Sequence, residues 1–193
     1  MRRIGWGLAI LLVVLIGLWI AALKLLPGVP GEVASAPPAP MRHDEAAVLT
    51  VPVAGVPRRA ITDSWGDDRD GGARPHHGTD IVAPAGTPVV AAAPGRIEKL
   101  FTSAAGGTTV YVRSPDRRWT YYYAHLAAYA PGLQEGQVVT SGDRLGFVGD
   151  TGNAGAGNYH LHFGLTRTDP QQRWYEGTDI DPYPYLAGKP LPR

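Results

Sequence analysis

The stretch Tyr159–Leu165, YHLHFGL, has two histidines one residue apart among residues that favour β-strands. In a strand, residues two apart point to the same face, with Cα atoms about 6.5 Å from each other. His160 and His162 are therefore predicted on one face, and Leu161 and Phe163 on the other. Two such imidazoles can serve one site, where one binds a metal and the other acts beside it. An exposed pair on an edge strand is the alternative.

Similar short runs recur from about Thr50 onward, rich in Val, Ile, Thr and Tyr and broken by Gly and Pro. None has a helical period over a useful length. SGD between GQVV and RLGFVG predicts a hairpin, and the proline-rich TDIDPYPYLAG predicts a closing tail without a strand. The sequence thus predicts an all-β domain of packed antiparallel sheets. The other runs include DIVAP (80–84), TPVVAAA (87–93), GRIEKLF (95–101), TTVYVRS (108–114) and TYYYAHL (120–126).

A second pair of histidines lies in RPHHGTDIVAP, residues 74–84. If the chain is nearly extended there, His76 and Asp80 share a face and His77 points away. Gly78 allows the backbone to bend closely between them. Asp80 opens a strand, on the face opposite its buried apolar residues. We therefore predict His76 and Asp80 as metal ligands, and a surface or outer supporting position for His77.

His76, Asp80 and one of His160 or His162 make two imidazoles and one carboxylate. Three such ligands with one open position are typical of catalytic zinc, since structural zinc sites are closed by four protein ligands. A zinc-bound water can supply hydroxide at neutral pH. The chain has no HExxH motif, so another group must handle the proton.

The candidates for proton transfer are the remaining strand histidine and His125 in YYYAHL. His125 shares strand parity with Tyr121 and Tyr123. A half-buried aromatic face is therefore its alternative environment, with a packing role only.

The composition excludes several classes of protein. The chain has no cysteine, which rules out disulfides, thiolate zinc sites, a cysteine nucleophile and lipoprotein acylation. Of its 18 Lys and Arg residues, all but Arg2, Arg3 and Lys24 lie after residue 26, against 17 acidic residues. This near-neutral balance gives no sign of the basic face that binds nucleic acids.

The N-terminal part predicts a membrane anchor. Ile4–Leu23 is an uncharged apolar run of twenty residues, about the 30 Å that a helix needs to span a bilayer. Arg2 and Arg3 before it favour a cytoplasmic N-terminus and an exported remainder. A signal peptide cleaved near Ala34–Ala36 is the alternative, but the run is longer than a signal sequence needs. We predict an anchor over residues 1–26, a Pro/Ala-rich linker over 27–48 that contains His43, and a domain over 49–193.

Three motifs in order, RPHHGTDI, YAHL and HLHF, resemble the lysostaphin/LytM-type zinc endopeptidases that cleave peptidoglycan. The likeness runs from about Pro57 to Leu186. GQVVTSGDRLGFVGDTGNAG resembles the family's hairpin and substrate-side loop, and DIDPYPYL its closing signature. The resemblance implies an antiparallel β-sheet core, the duplicated hybrid motif, with zinc in a groove between loops.

The resemblance also implies roles for single residues. His76, Asp80 and His162 match the zinc ligands, and His160 and His125 match the catalytic pair. Arg74 matches a common arginine two residues before the first ligand, and both a groove-lining and a surface role remain open for it. The chain departs from the family pattern at two places, with Thr79 for the usual isoleucine or valine and Asn158–Tyr159 where proline is common.

These observations predict a single-pass zinc endopeptidase of the cytoplasmic membrane, acting on peptidoglycan cross-links from the extracytoplasmic side. A non-catalytic module that binds the wall or activates an amidase is one alternative, although relatives of that kind lack ligand residues. Phosphotransfer, which related folds perform with paired histidines, is another, but an exported domain would meet no phosphodonor.

Overall fold

The computed structural model describes residues 48–192. The predicted span Ile4–Leu23 and nearly all of the predicted linker lie outside this part of the chain, and the predicted domain boundaries stay predictions. Within residues 48–192, the structure contains no helix with the length and apolar character needed to cross a membrane.

The described residues form a nine-stranded sheet and a separate two-stranded one, and the strand pairs of both sheets are antiparallel. The path through the large sheet is β11-β10-β7-β6-β5-β8; β3 also pairs with β10, and β9 pairs with β4 and β7. This architecture confirms the predicted all-β antiparallel fold. The strands are β1 (Asp68–Arg69), β2 (Arg74–Pro75), β3 (Thr79–Val82), β4 (Pro88–Val90), β5 (Gly95–Ser103), β6 (Gly107–Arg113), β7 (Trp119–Tyr129), β8 (Val138–Val139), β9 (Arg144–Val148), β10 (His160–Arg167) and β11 (Thr178–Ile180).

The hydrophobic core lies under one face of the strands that carry the histidines. Leu161 and Phe163 of β10 are fully buried, and the Phe163 ring packs edge-on against Tyr123 of β7, with centroids 5.3 Å apart. Burial of a large apolar side chain of this kind contributes about 1.5–3 kcal/mol to stability. Because the apolar residues alternate with His160 and His162, packing of the core directs both imidazoles to the opposite face.

The prediction of a hairpin around SGD is wrong. Its flanking strands β8 and β9 pair with different neighbours, β8 with β5 and β9 with β4 and β7. The tight turn itself is present, because Asp143 donates its backbone N–H to the Thr140 carbonyl at 3.1 Å. However, Ala91 hydrogen-bonds on both sides of the turn, to Gly142 and Asp143. Ala91 directly follows β4, so the end of β4 lies beside the turn, and β8 and β9 do not pair with each other there.

The C-terminal segment also differs from the prediction of a strand-free tail. Thr178–Ile180 forms β11 and pairs with β10. The prolines at 182 and 184 follow this strand and so remove no hydrogen bond from its ladder. A short helix, α1 (Tyr183–Leu186), has a proline near its first position, where its missing N–H has no cost. Leu186 of this helix is buried in the core.

Candidate metal centre

The structure brings all five predicted site residues to one cavity of about 470 Å³. They come from the segment before β3, from β3 itself, from β7 and from β10. Residues distant in the sequence thus meet on the open face of the sheet. The five residues are His76, Asp80, His125, His160 and His162.

Strand register positions two of the candidate ligands. Asp80 of β3 lies directly opposite His162 of β10 in the antiparallel ladder. Side chains of such partners project from the same face, with Cβ atoms about 5 Å apart. The flanking residues Ile81 and Leu161 are buried on the other face, so core packing fixes the direction in which the carboxylate and imidazole point.

Three ligand-type atoms converge in the cavity. Nε2 of His76 lies 2.8 Å from Nδ1 of His162, and Oδ1 of Asp80 lies 3.1 Å from each of these nitrogens. Donor atoms of a tetrahedral zinc site, about 2.0–2.1 Å from the ion, are roughly 3.3 Å apart. The cluster therefore has nearly the spacing and the donor types that a zinc ion requires.

Ser64 accepts hydrogen bonds from two of the candidate ligands, His76 and Asp80. The Nδ1–H of His76 donates to the Ser64 carbonyl at 2.6 Å, and the Ser64 hydroxyl accepts the Asp80 backbone N–H at 3.0 Å. With its proton on Nδ1, His76 presents the lone pair of Nε2 to the cluster, as a metal ligand must. Sequence reasoning missed Ser64, since no pattern distinguishes it from other loop serines.

Arg69 fixes the orientation of the carboxylate. Its guanidinium donates to Oδ2 of Asp80 at 2.6 Å, which leaves Oδ1 facing the two histidines. Burial by itself would raise the pKa of the Asp80 carboxyl, but the neighbouring imidazoles of His162 and His76 hold that pKa well below its ordinary value. Asp80 is therefore ionised at neutral pH and available to a cation.

Gly78 gives His162 the space that it occupies. A Cβ atom at residue 78 would lie 2.5 Å from Cε1 and 2.7 Å from Nε2 of the His162 ring. The need for glycine here arises from this close approach of the backbone to the imidazole.

We expect Gly78→Ala to displace the His162 imidazole and to weaken zinc binding at least 10-fold, the lower end of the loss seen when an outer partner of a ligand is removed. Competition titration of the metal-free chain against a chelating dye measures this affinity. Gly132→Ala is the matched control, because a Cβ added at Gly132 would meet no atom within 4 Å, although the φ of Gly132 is +76°. It should lower the unfolding temperature and leave zinc affinity unchanged. Affinity within twofold of wild type in Gly78→Ala would contradict the account.

The two candidate catalytic histidines are oriented by one loop, residues 149–159. The Nδ1–H of His125 donates to the Thr151 carbonyl and that of His160 to the Asn158 carbonyl, each at 2.8 Å. These bonds place the proton of each neutral imidazole on Nδ1 and leave the lone pair on Nε2. The two rings are neighbours, with centroids 4.9 Å apart.

His125 reaches the cavity through an unusual backbone conformation. Its φ is +61°, a left-handed value that a residue with a Cβ rarely adopts. Strand parity would have placed His125 with Tyr123, whose ring is buried in the core. The left-handed turn instead rotates the imidazole towards Tyr122 and Ala124, which line the cavity. The packing environment inferred from parity is therefore wrong, and the strained conformation is typical of functional sites.

Burial lowers the pKa of His125 to about 4, with further lowering by the charges of His160 and His162. The bond to Thr151 acts in the opposite direction but does not offset burial. His125 is therefore neutral between about pH 5 and pH 8 and can accept a proton there.

We expect the imidazole of His125 in the metal-free chain to titrate with a midpoint near the pKa of about 4. NMR of ¹⁵N-labelled histidine measures this midpoint and also reports which ring nitrogen carries the proton. The spectrum of His125→Asn assigns the signal by its loss. A midpoint near 6.5, the ordinary value for histidine, would show that the ring is not desolvated as described.

His77 lies away from the cluster, as strand parity predicted. Its ring stacks on Trp65 at a centroid distance of 5.2 Å, and its Nδ1 lies 3.1 Å from Oδ2 of Asp179. About half of the side chain is exposed.

Fold and site together define a class of protein, an antiparallel β-sheet domain with a candidate metal site on its open face, and comparisons with known proteins identify its family. The profile of the family described as Peptidase family M23 matches residues 74–182. The L-Ala--D-Glu endopeptidase of Bacillus subtilis is 36% identical over 129 residues, which cover 64% of this chain and 38% of that protein. Peptidoglycan DD-endopeptidase ShyC of Vibrio cholerae is 35% identical over 88 residues, or 46% of this chain and 20% of that protein.

Among solved structures, the catalytic domain of lysostaphin from Staphylococcus simulans is similar, with a TM-score of 0.55 and 28% identity. The match covers 65% of this chain and 90% of that domain. The chain belongs to peptidase family M23, since the profile covers more than half of its length. It spans two fifths or less of the two curated relatives named above.

Family membership confirms the predicted resemblance, the class of zinc metallopeptidase and zinc as the cofactor. The roles of the single residues stay predictions. The structure shows only that His76, Asp80 and His162 could together hold a metal ion, with ligand atoms within 4.8 Å of one another.

Proposed function

We propose that this chain is a membrane-anchored zinc endopeptidase that hydrolyses the peptide cross-links of cell-wall peptidoglycan. The observation that carries the proposal is the convergence of two imidazoles and one carboxylate beside two further imidazoles in one cavity. The names of the relatives support the substrate, because two of them are endopeptidases of peptidoglycan or of an L-Ala–D-Glu bond.

The three converging residues are the proposed holders of the metal, through Nε2 of His76, Oδ1 of Asp80 and Nδ1 of His162. Zinc bound in such a site acts as a Lewis acid, which polarises a carbonyl and makes water more acidic. Arg69 and Ser64 keep the carboxylate and the His76 ring oriented toward it.

The remaining two histidines are proposed to move protons at their Nε2 atoms. Both rings present this nitrogen as a lone pair, because Nδ1–H is bound to a loop carbonyl. The low pKa of His125 keeps that lone pair available at neutral pH. One ring can take a proton from the attacking water, and a protonated ring can stabilise the developing oxyanion and return the proton to the leaving amine.

The location at the membrane is part of the proposal and is supported by the sequence alone. The uncharged run Ile4–Leu23 is long enough to span a bilayer, and Arg2 and Arg3 favour a cytoplasmic N-terminus. This orientation places residues 48–192 on the side of the membrane where peptidoglycan lies. A fusion of an alkaline phosphatase to the C-terminus should be active in that orientation, and an inactive fusion would contradict it.

Mass spectrometry of fragments released from defined muropeptides tests the activity directly. We expect the purified full chain with zinc to cut a peptide bond in cross-linked muropeptides and to stop when a chelator is added. Restoring zinc should restore cleavage. Binding to peptidoglycan without any cleavage would instead favour a non-catalytic module that binds the wall.

A further inference from the structure

A stripe of aromatic rings runs from the cavity across the open face of the sheet. Tyr122 lines the cavity, and its ring meets the His162 ring edge-on, with centroids 5.8 Å apart. Tyr111 of β6 is the register partner of Tyr122, and Trp174 packs on Tyr111; each of these two ring pairs has centroids 4.6 Å apart. We call this set the aromatic stripe; its members are Tyr122, Tyr111, Trp174, Phe101 and Tyr175.

The outer end of the aromatic stripe is open to solvent. Trp174 contacts Phe101 at a centroid distance of 5.3 Å and Tyr175 at 5.0 Å. Phe101 is 40% exposed and Tyr175 is 55% exposed. Adjoining exposed aromatic rings are typical of a surface that binds a ligand. Because the inner end of the stripe is part of the cavity wall, a ligand that extends out of the cavity would meet the stripe.

The outer rings are held in place by a tethered segment. Trp174 and Tyr175 belong to the segment between β10 and β11. The buried Arg113 guanidinium donates to the Thr168 hydroxyl and, at 3.1 Å, to the Gln172 carbonyl of this segment. The rings are therefore in position before a ligand arrives, which lowers the entropic cost of binding.

The cations beside the aromatic stripe have acidic neighbours. Lys99 lies opposite Tyr111 in the register of β5 and β6, and its ammonium pairs with Glu135 at 2.7 Å. Next to Tyr175, the Glu176 carboxylate accepts the Arg173 backbone N–H at 2.8 Å. This balance of charge favours a neutral ligand over an anionic polymer.

We propose that the aromatic stripe binds the glycan strand of peptidoglycan, with N-acetylated sugar rings stacked on Trp174 and its neighbours while the attached stem peptide enters the cavity. The proposal rests on the proposed function, because peptidoglycan is the substrate. A sugar ring is neutral, with an apolar C–H face and polar edges. Tyrosine and tryptophan match this chemistry, since each combines an apolar ring face with a polar O–H or N–H. The continuity of the stripe with the cavity, through Tyr122, is the observation that carries the proposal.

A tetrasaccharide of N-acetylglucosamine, which has no peptide, tests the stripe independently of cleavage. We expect it to bind the full chain and to shift the indole N–H signal of Trp174 in ¹⁵N NMR; the loss of this signal in Trp174→Phe assigns it. Trp174→Ala should weaken binding about 3- to 10-fold, the range for one aromatic contact. Trp174→Phe should retain most of the affinity, because it keeps a ring in the same place.

Phe147→Ala is the matched control. Phe147 is also partly exposed, but its ring lies beside Arg144 of β9, outside the aromatic stripe. This variant should bind the tetrasaccharide as the wild type does, and thermal unfolding establishes that each variant is folded. No binding at millimolar sugar, or wild-type affinity in Trp174→Ala, would overturn the proposal. A shift of the Trp174 signal with chain concentration in place of sugar would also overturn it, since a second copy would then occupy the stripe.

Two substrates with the same scissile bond test the role of the stripe in the reaction. One is a cross-linked stem peptide alone, and the other is the same peptide attached to its glycan. For the wild-type full chain with zinc, we expect a KM about 10-fold lower for the glycan-linked substrate. In Trp174→Ala this difference should fall below about threefold, by loss of one aromatic contact, and in Phe147→Ala it should persist.

The outcomes separate the stripe from the proposed function. Equal KM values for the two substrates in the wild type would overturn the stripe and leave the endopeptidase activity standing. Failure to cut either substrate would overturn the proposed function, and with it the placement of a substrate's glycan on the stripe, even if the tetrasaccharide binds.

Discussion

His160→Ala and His125→Ala should each lower kcat on cross-linked muropeptides by about 10²–10⁴-fold, the contribution of general acid–base catalysis, while zinc stays bound. The reason is that neither ring belongs to the converging cluster of ligand atoms, yet both line the same cavity. Because the two imidazoles are neighbours, the double variant should lose less than the product of the single losses. Steady-state kinetics with metal analysis of the same samples measures both quantities.

His77→Ala is the matched control for these two variants. His77 follows a candidate ligand in the sequence, but its ring stacks on Trp65 outside the cluster. This variant should keep both the wild-type rate and the wild-type zinc content. A wild-type rate in His160→Ala would show that the proposed proton transfer is wrong.

His76→Ala should lose the metal and with it all measurable turnover. His76 supplies one of the three ligand atoms that converge within residues 48–192, and even the loss of a group that supports a ligand costs about 10- to 100-fold in metal affinity. Loss of the ligand itself should therefore exceed 100-fold. Elemental analysis of the purified variant measures the zinc content, and a titration with added zinc measures the affinity.

The comparison with His160→Ala separates the two kinds of histidine. Both variants should turn over at least about 100-fold more slowly than the wild type, but only His76→Ala should be free of zinc after purification. Should His76→Ala retain one zinc ion per chain with wild-type affinity, the ion would have to be held by other residues.

Alternation along strands made much of the site predictable. In β10 the apolar Leu161 and Phe163 fix the core face, so the direction of His160 and His162 follows from the sequence. The same reasoning separated His76 from His77, whose surroundings differ as expected. These predictions hold because a strand with one buried face cannot shift its register by one residue without moving its apolar side chains to the exposed face.

Other features depended on backbone geometry and on contacts between distant segments. His125 departs from strand parity through its positive φ, for which a non-glycine residue gives no sequence signal. The pairing of β8 and β9 was mispredicted because the end of β4 bonds to the turn between them. Ser64 and Arg69 were missed because their roles arise from contacts with His76 and Asp80 across a loop and a hairpin.

Anomalous scattering at the zinc absorption edge, from crystals of the zinc-loaded chain, locates the metal and its ligands. We expect one strong peak, about 2.0–2.2 Å from each of three atoms, namely Nε2 of His76, Oδ1 of Asp80 and Nδ1 of His162. Nε2 of His125 and of His160 should face the peak without coordinating it. A zinc peak at any other place in the domain, or one coordinated by His125 or His160 in place of these ligands, would contradict the account.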